Sequence, residues 1–191
     1  MVKMTTLRFM LGVMAVDNLE LIQLDVKTEF LHGDLKEEIY MEQLKGFVAS
    51  GQKHLVCRLK KSLYGLKQAP RQWYKKFDDF IQLVSFSKSD EDHYLFTKTT
   101  QDGSPVFFII YVDDILLFDR HAGERTELVR NLRLKFTMKD VCPARHILEM
   151  NISRNRNRRQ LFLSQTDYIR RVLEHFNMQS TKSASTPRLS Q

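Results

Sequence analysis

Two apolar runs, residues 106–110 and 115–118, stand on either side of Tyr111-Val112-Asp113-Asp114. Neither run alternates with polar residues, which is the pattern of strands covered on both faces. Such a segment has few ways to fold. It predicts a β-hairpin inside a sheet, with two carboxylates at its bend. Adjacent negative charges at the rim of a core repel each other and lose hydration, so the bend must be wet or must hold a cation. A solvated Asp-Asp turn meets the first condition, because Asp is a common turn residue. A metal site meets the second.

Upstream, residues 19–30 carry a third carboxylate in a similar setting. Leu19, Leu21, Leu24 and Val26 alternate imperfectly with Glu20, Gln23 and Asp25, which predicts a strand with Asp25 close to its end. Taken alone, Asp25 reads as a surface residue on an amphipathic strand. Between the two acidic sites lies the stretch Lys60-Lys61-Ser62-Leu63-Tyr64-Gly65-Leu66-Lys67-Gln68-Ala69-Pro70-Arg71-Gln72-Trp73. It reads as a basic loop leading into a helix whose first turn follows Pro70. Lys67, Arg71 and the helix's first N–H groups could hold phosphates; an ordinary solvated basic loop is the plainer alternative.

The chain has 191 residues, a net charge of +7, 42% hydrophobic and 28% charged residues. That is a globular composition with enough length for one core, and the basic balance suits a polyanionic partner. Cys57 and Cys142 fall in no metal or redox spacing. The histidines form no zinc-binding pair, and no Walker-type or GxGxxG string occurs. Residues 9–16, preceded by Lys3 and Arg8, imitate a signal peptide. The run is too short and lacks a cleavage site. Leu7, Met10, Leu11 and Met14 recur at helical spacing instead. No segment approaches a membrane span, and the expected location is intracellular and cytoplasmic.

Along the chain we expect a helix at about 5–16, the Asp25 strand, and a loop-rich insert over 31–55. Short strands at 39–43 and 55–59 flank turns at Gly46 and Ser50-Gly51. A helix at about 70–85 presents Trp73, Phe77, Phe80, Ile81 and Val84 as one apolar stripe. Strands at 94–97 and 106–111 enclose the turn 101–105. A helix at about 123–136 presents Leu128, Val129, Leu132 and Phe136. Two strands then flank the basic turn 154–159. A last helix at about 165–177, with Ser164 as N-cap and Asp167 three residues on, buries Ile169, Val172, Leu173 and Phe176. The Ser- and Thr-rich tail, 180–191, is expected to fray. The mixture suggests an α+β fold, an antiparallel sheet with helices packed on one face.

The strings QLDVKTEFLHGDLKEEIYMEQ (23–43), VCRLKKSLYGLKQAPRQWYKKFD (56–78) and YVDDILLF (111–118) closely resemble the reverse transcriptase of copia-type long-terminal-repeat retrotransposons. Their order and spacing fit that family. Further similarity lies in LRLKFTMKD (132–140), HILEMNISR (146–154) and LSQTDYIRRVLEHFNM (163–178). The resemblance covers nearly the whole chain. It implies a polymerase palm with a remnant of the fingers over 1–153, and the start of the thumb with a flexible tail over 154–191. The fingers would be truncated and the thumb partial, as in a fragment of a polyprotein. An active element would place the protein in a retrotransposon particle.

The implied chemistry is attack of a primer 3′-hydroxyl on the α-phosphate of a deoxynucleoside triphosphate, directed by an RNA or DNA template. Two Mg²⁺ ions roughly 4 Å apart, with Mn²⁺ as the alternative ion, would activate the hydroxyl and neutralise charge on the leaving oxygens. By position, Asp25 and Asp113 would bridge the metals, the Val26 carbonyl would add a ligand, and Asp114 would support the site. Phe30 matches the steric gate against a ribose 2′-hydroxyl. Gly65, Lys67, Gln68, Pro70 and Arg71 match the segment that holds nucleotide and template, and Lys139 lies in the segment that contacts the leaving phosphates. His146, Ile147, Leu148, Glu149 and Met150 resemble the primer grip. The resemblance leaves the oligomeric state open.

Tyr64, inside the matching nucleotide and template segment, stands where many other reverse transcriptases carry Gln. Several residues depart from the family pattern. Glu29 stands where the family has Ala, and its carboxylate is expected to face triphosphate and metals. Leu44-Lys45 replaces Pro-Glu, Val141-Cys142-Pro143 interrupts a Leu-Gly, and Glu149 replaces a Gly in the primer grip. A side chain at a Gly position is costly where the backbone needs φ > 0. Two readings compete. One is an RNA-directed DNA polymerase palm, a nucleotidyltransferase whose isolated chain is expected not to extend a primer. The other is a catalytically inactive retrotransposon relic, at most a basic nucleic-acid-binding module.

Overall fold

The computed structural model of the chain describes residues 2–48, 50–112, 114–139 and 142–182. Chain order is α1 (Met4–Val16), β1 (Glu20–Asp25), a 3-10 turn (Glu29–His32), β2 (Tyr40–Glu42), β3 (Val56–Arg58) and α2 (Ala69–Leu83). Then come β4 (Ser87–Lys88), β5 (Leu95–Thr99), β6 (Pro105–Tyr111), β7 (Asp114–Asp119) and α3 (Ala122–Lys135). The chain continues through β8 (Cys142–Pro143), β9 (His146–Ile147), β10 (Met150–Asn155) and β11 (Gln160–Ser164) to α4 (Thr166–His175). The tail expected to fray lies, from residue 183 on, outside the described residues.

The main sheet has the antiparallel order β4-β5-β6-β7-β1-β8. The apolar hairpin is β6–β7, and its strands sit in the interior of the sheet, as their unbroken hydrophobicity requires. On one face Ile22, Leu24, Phe108, Ile110, Ile115 and Leu117 pack against Trp73, Phe77, Phe80 and Ile81 of α2, and against Leu128 and Leu132 of α3. Alternate residues on the other face, Leu21, Ile109, Leu116 and Phe118, pack against Leu7, Met10, Leu11 and Met14 of α1. The expected one-sided helix layer is therefore corrected: α1 covers the face opposite α2 and α3. The reason is already present in the strands. With period 2, a strand apolar at every position shows an apolar surface on each face, and each needs a cover.

A second sheet, β11-β10-β9, adjoins the α1 face, where Ile147 joins that core. A third pair, β2–β3, forms the insert, with Gly46 and Gly51 at positive φ in the connection between them. Helix α4 does not bury its apolar stripe. Ile169, Val172, Leu173 and Phe176 are exposed, Phe176 to 65%, because α4 meets the second sheet through polar side chains. Asn151 Nδ2 donates to Asp167 at 2.6 Å, and Arg171 pairs with Glu149. The N-cap position falls on Gln165 rather than Ser164, whose Oγ accepts the Thr166 N–H at 3.3 Å.

Candidate active site

Register brings the acidic strand ends together. Asp25, the last residue of β1, is the Cα partner of Asp114, the first of β7. Directly opposed residues of an antiparallel pair point to the same face with Cβ atoms about 5 Å apart. The two carboxylates are thus neighbours at the ends of β1, which is largely buried, and β7, which is buried over the rest of its length. Such a pair repels itself, and cation and amide donors offset the repulsion. Lys139 Nζ forms an ion pair with Asp25 Oδ2, and Gln23 Nε2 donates to Asp114 Oδ1 at 2.7 Å. Lys139 is placed by its own backbone. Its N–H donates to the Asp25 carbonyl at 2.8 Å, Lys27 N–H donates to Thr137 O at 2.8 Å, and Val26 bridges Met138. The Asp25 side chain keeps 26% exposure, so solvent reaches the site. The Val26 side chain is core.

Asp113 lies outside the described residues. Among the described residues no three His, Cys, Asp or Glu side chains converge on one point. Asp25 and Asp114 nevertheless suit a hard divalent cation chemically: they offer carboxylate oxygens, and an ammonium group already sits on one of them.

The bend of the hairpin is anchored from α2. Tyr111 pairs with Asp114, and the connection starts at Val112 with φ +59°, a rare conformation for a β-branched residue. The Val112 carbonyl accepts the Trp73 Nε1–H at 2.8 Å. Trp73 is therefore both core and a positioning residue for the turn, a role its place in an apolar stripe did not reveal.

The segment expected to hold nucleotide flanks the same turn. Phe30 sits in the 3-10 turn, packs edge-on against Tyr64 at 5.1 Å, and helps line a cavity of about 300 Å³ with Lys67, Pro70, Arg71 and Val112. Lys67, Pro70 and Arg71 are exposed and Gln68 is half-buried. Gly65 has φ +90° with open space around it, so conformation rather than room calls for glycine there. Gly33 is needed for the opposite reason. A Cβ there would stand 2.8 Å from Gln72 Cβ, where the insert crosses α2. Glu29 differs from expectation. It is buried, 6% exposed, and accepts the Tyr64 hydroxyl at 2.9 Å. The departure at Glu29 is thus satisfied by the Tyr64 hydroxyl, because a buried carboxylate needs a donor.

The segment that resembles a primer grip forms the β9–β10 hairpin. Ile147 and Met150 are core, while His146 and Glu149 are exposed. Ile147 pairs with Met150, leaving Leu148 (φ +47°) and Glu149 (φ +61°) as a two-residue turn. Two positive φ values are the signature of a turn that prefers Asn-Gly. Gln23 was missed as a partner of Asp114; its place two residues before Asp25, on the same strand face, is the signal that could have found it.

Residues 1–190 match the family described as reverse transcriptase (RNA-dependent DNA polymerase). The chain is 51% identical over 186 residues to the Retrovirus-related Pol polyprotein from transposon TNT 1-94 of Nicotiana tabacum, covering 97% of this chain and 14% of that protein. It is 36% identical over 186 residues to the corresponding polyprotein from transposon RE1 of Arabidopsis thaliana, covering 97% and 12%. Identity to the putative transposon Ty5-1 protein of Saccharomyces cerevisiae is 32% over 171 residues, covering 86% and 53%. No solved structure matches the chain. No helix among the described residues is long and apolar enough to cross a membrane.

Proposed function

Since the chain belongs to the reverse transcriptase (RNA-dependent DNA polymerase) family, we propose that it is the palm segment of a retrotransposon polymerase, with residues 154–191 opening the thumb. The observation that carries this reading is the register of β1 against β7, which sets Asp25 beside Asp114 next to the nucleotide cavity. The reaction is transfer of a nucleotide to a primer 3′-hydroxyl with loss of pyrophosphate. Asp25 and Asp114, with Asp113 from outside the described residues, are the groups that would hold two Mg²⁺ ions. When bound, these lower the cost of forming an alkoxide and of spreading charge over phosphoryl oxygens.

The chain's own residues do the positioning. Gln23 orients the Asp114 carboxylate, and Lys139 neutralises Asp25 at the point where phosphates would enter. Trp73 fixes the backbone at Val112, two residues before Asp114. Lys67 and Arg71 supply positive charge at the mouth of the cavity, and Phe30 narrows it against a ribose 2′-hydroxyl. Glu29, which argued for a silent relic, is tied to Tyr64 and turned away from that role.

Two measurements test the reading. Mn²⁺ binding followed by electron paramagnetic resonance should weaken at least tenfold in Asp25→Asn and in Asp113→Asn; unchanged binding would remove these residues from the metal site. In a polymerase carrying this segment and active in Mg²⁺-dependent extension on an RNA template, Phe30→Ala should admit ribonucleotides. Undiminished sugar selection would take Phe30 out of the gate.

A further inference from the structure

Between the β9–β10 turn and α4 runs a groove of about 640 Å³, lined by Gln23, His146, Leu148, Glu149, Arg170 and Arg171. Its inner end is Gln23, which holds Asp114. The groove therefore leads from the proposed reaction site to the basic side of α4. Both arginines are turned onto carboxylates. Arg170 meets Asp167 at 3.1 Å within the first turns of its own helix. Arg171 instead reaches across to Glu149 on the other element. Glu174 completes the acidic lining. The charges of the two guanidinium groups are thus cancelled from inside the protein.

Glu149 is the unusual partner. It occupies a left-handed turn position that favours glycine, and its Oε2 meets Arg171 Nη2, a contact that a phosphate oxygen can make in its place. The pair is open to solvent on both sides, 63% and 55% exposed, so the contact is weakly held and a competing anion can replace it.

We propose that Glu149 is an internal occupant of a phosphate site on Arg171, so that this side of α4 grips the sugar–phosphate backbone of a primer–template duplex only when the contact opens. The inference rests on the polymerase reading for the identity of the duplex. Opening the contact adds one guanidinium–phosphate contact. The log–log dependence of affinity on salt then steepens by about 0.9.

The test is fluorescence anisotropy of a labelled primer–template duplex titrated with the 191-residue chain across a salt series, with thermal melts to verify folding. Glu149→Gln should bind on the order of fivefold tighter at about 0.1 M salt, with the steeper slope. The gain should vanish in an Arg171→Ala background. No gain, or an equal gain without Arg171, overturns the inference, the second because it shows only general relief of repulsion. Lys67→Ala combined with Arg71→Ala separates the two levels. A parent chain that binds through those residues yet ignores Glu149→Gln defeats this inference and leaves the polymerase reading standing. Failure of parent and variants alike to bind duplex at low salt overturns both.

Discussion

At the scale of single residues, positive φ is concentrated where the chain must reverse. Val112, Leu148 and Glu149 lie at hairpin turns of the candidate site, and Ser85 lies just past the end of α2. None is glycine, and each non-glycine residue in this region costs roughly 1–2 kcal/mol. At the site that cost is tied to turn geometry beside reactive groups, as strained backbone often is. At Ser85 it is separable from function. Ser85 N–H donates to Gln82 O at 3.0 Å and Phe86 N–H to Ile81 O at 3.2 Å. This pair of bonds is the helix-ending motif that favours glycine at its left-handed position, with the Phe86–Ile81 contact buried beneath it. Ser85→Gly should therefore stabilise the protein by about 0.5–1 kcal/mol, a rise in Tm of roughly 1–4 °C, whereas Ser85→Ala should not. Equal melting of the two variants would show that φ is not what limits this position. The sequence offered little warning here, because residue type reports what a backbone angle prefers and not what the surrounding contacts impose.

Elements held by local pattern were legible in the sequence, and those held by distant partners were not. The β6–β7 hairpin, the start of α2 at Ala69-Pro70 and the end of β1 at Asp25 follow from apolar runs and turn residues a few positions apart. The position of α1 does not. Its apolar stripe announced a helix but not which sheet face it would cover, since periodicity names a face and never its partner. What docks its N-terminus is Asp92, 4% exposed, in the connection before β5. Helix α1 has no side-chain cap of its own. Asp92 Oδ2 accepts the Lys3 N–H at 2.9 Å and the Thr6 hydroxyl at 2.7 Å, and Oδ1 accepts the Tyr94 N–H at 3.0 Å. Burial pushes this carboxyl upward, but the hydrogen bonds from Lys3, Thr6 and Tyr94, with the Lys3 charge, outweigh it and hold it below its ordinary value of 3.8. A lowered carboxyl stabilises the fold fully above that ordinary value and loses the contribution as pH falls through its lower folded value. Asp92→Ala should cost about 2 kcal/mol at neutral pH by removing a cap and stranding buried N–H groups. Denaturation series from pH 5 downward should also show a shallower acid decline below about 3.8 in Asp92→Asn than in the parent. Parallel curves would remove Asp92 from the acid response.

On the scale of the whole molecule, the question is how the second sheet and α4 are kept in register with the sheet that bears Asp25 and Asp114. The chain connection through β8 and β9 is short-stranded and gives little hold. The apolar contact is Ile147, with Ile152 and Leu161 partly buried beside the α1 core. Arg154 of β10 supplies the directional part. Its Nη1 donates to Leu19 O at 2.5 Å, and its Nη2 to Met14 O at 3.0 Å and Asn18 Oδ1 at 3.0 Å. Those acceptors lie in the last turn of α1 and the connection to β1, where the Met14 carbonyl also accepts the Leu19 N–H at 3.1 Å and the helix end favours a cation. Arg156 adds an ion pair to Glu20 at 2.6 Å. In the sequence these residues are a basic turn between two strands; in the fold, Arg154 is turned inward and half-buried, and burial pulls its guanidinium below its ordinary range. Arg154 thus joins the end of α1 and its connection to β1 onto β10, and through β10 onto the groove that ends at α4. Arg154→Ala should cost about 2–3 kcal/mol, because three hydrogen bonds from a charged group disappear together. The loss should be local in pattern. Hydrogen exchange should accelerate in β10, β11 and the C-terminal turn of α1, while β6 and β7 keep their protection. Arg154→Lys should recover only part of the hold, since one ammonium cannot serve the spread of acceptors that a guanidinium fork reaches. Uniform acceleration across the main sheet, or full rescue by lysine, would show that Arg154 contributes to general stability rather than clamping the second sheet onto the first.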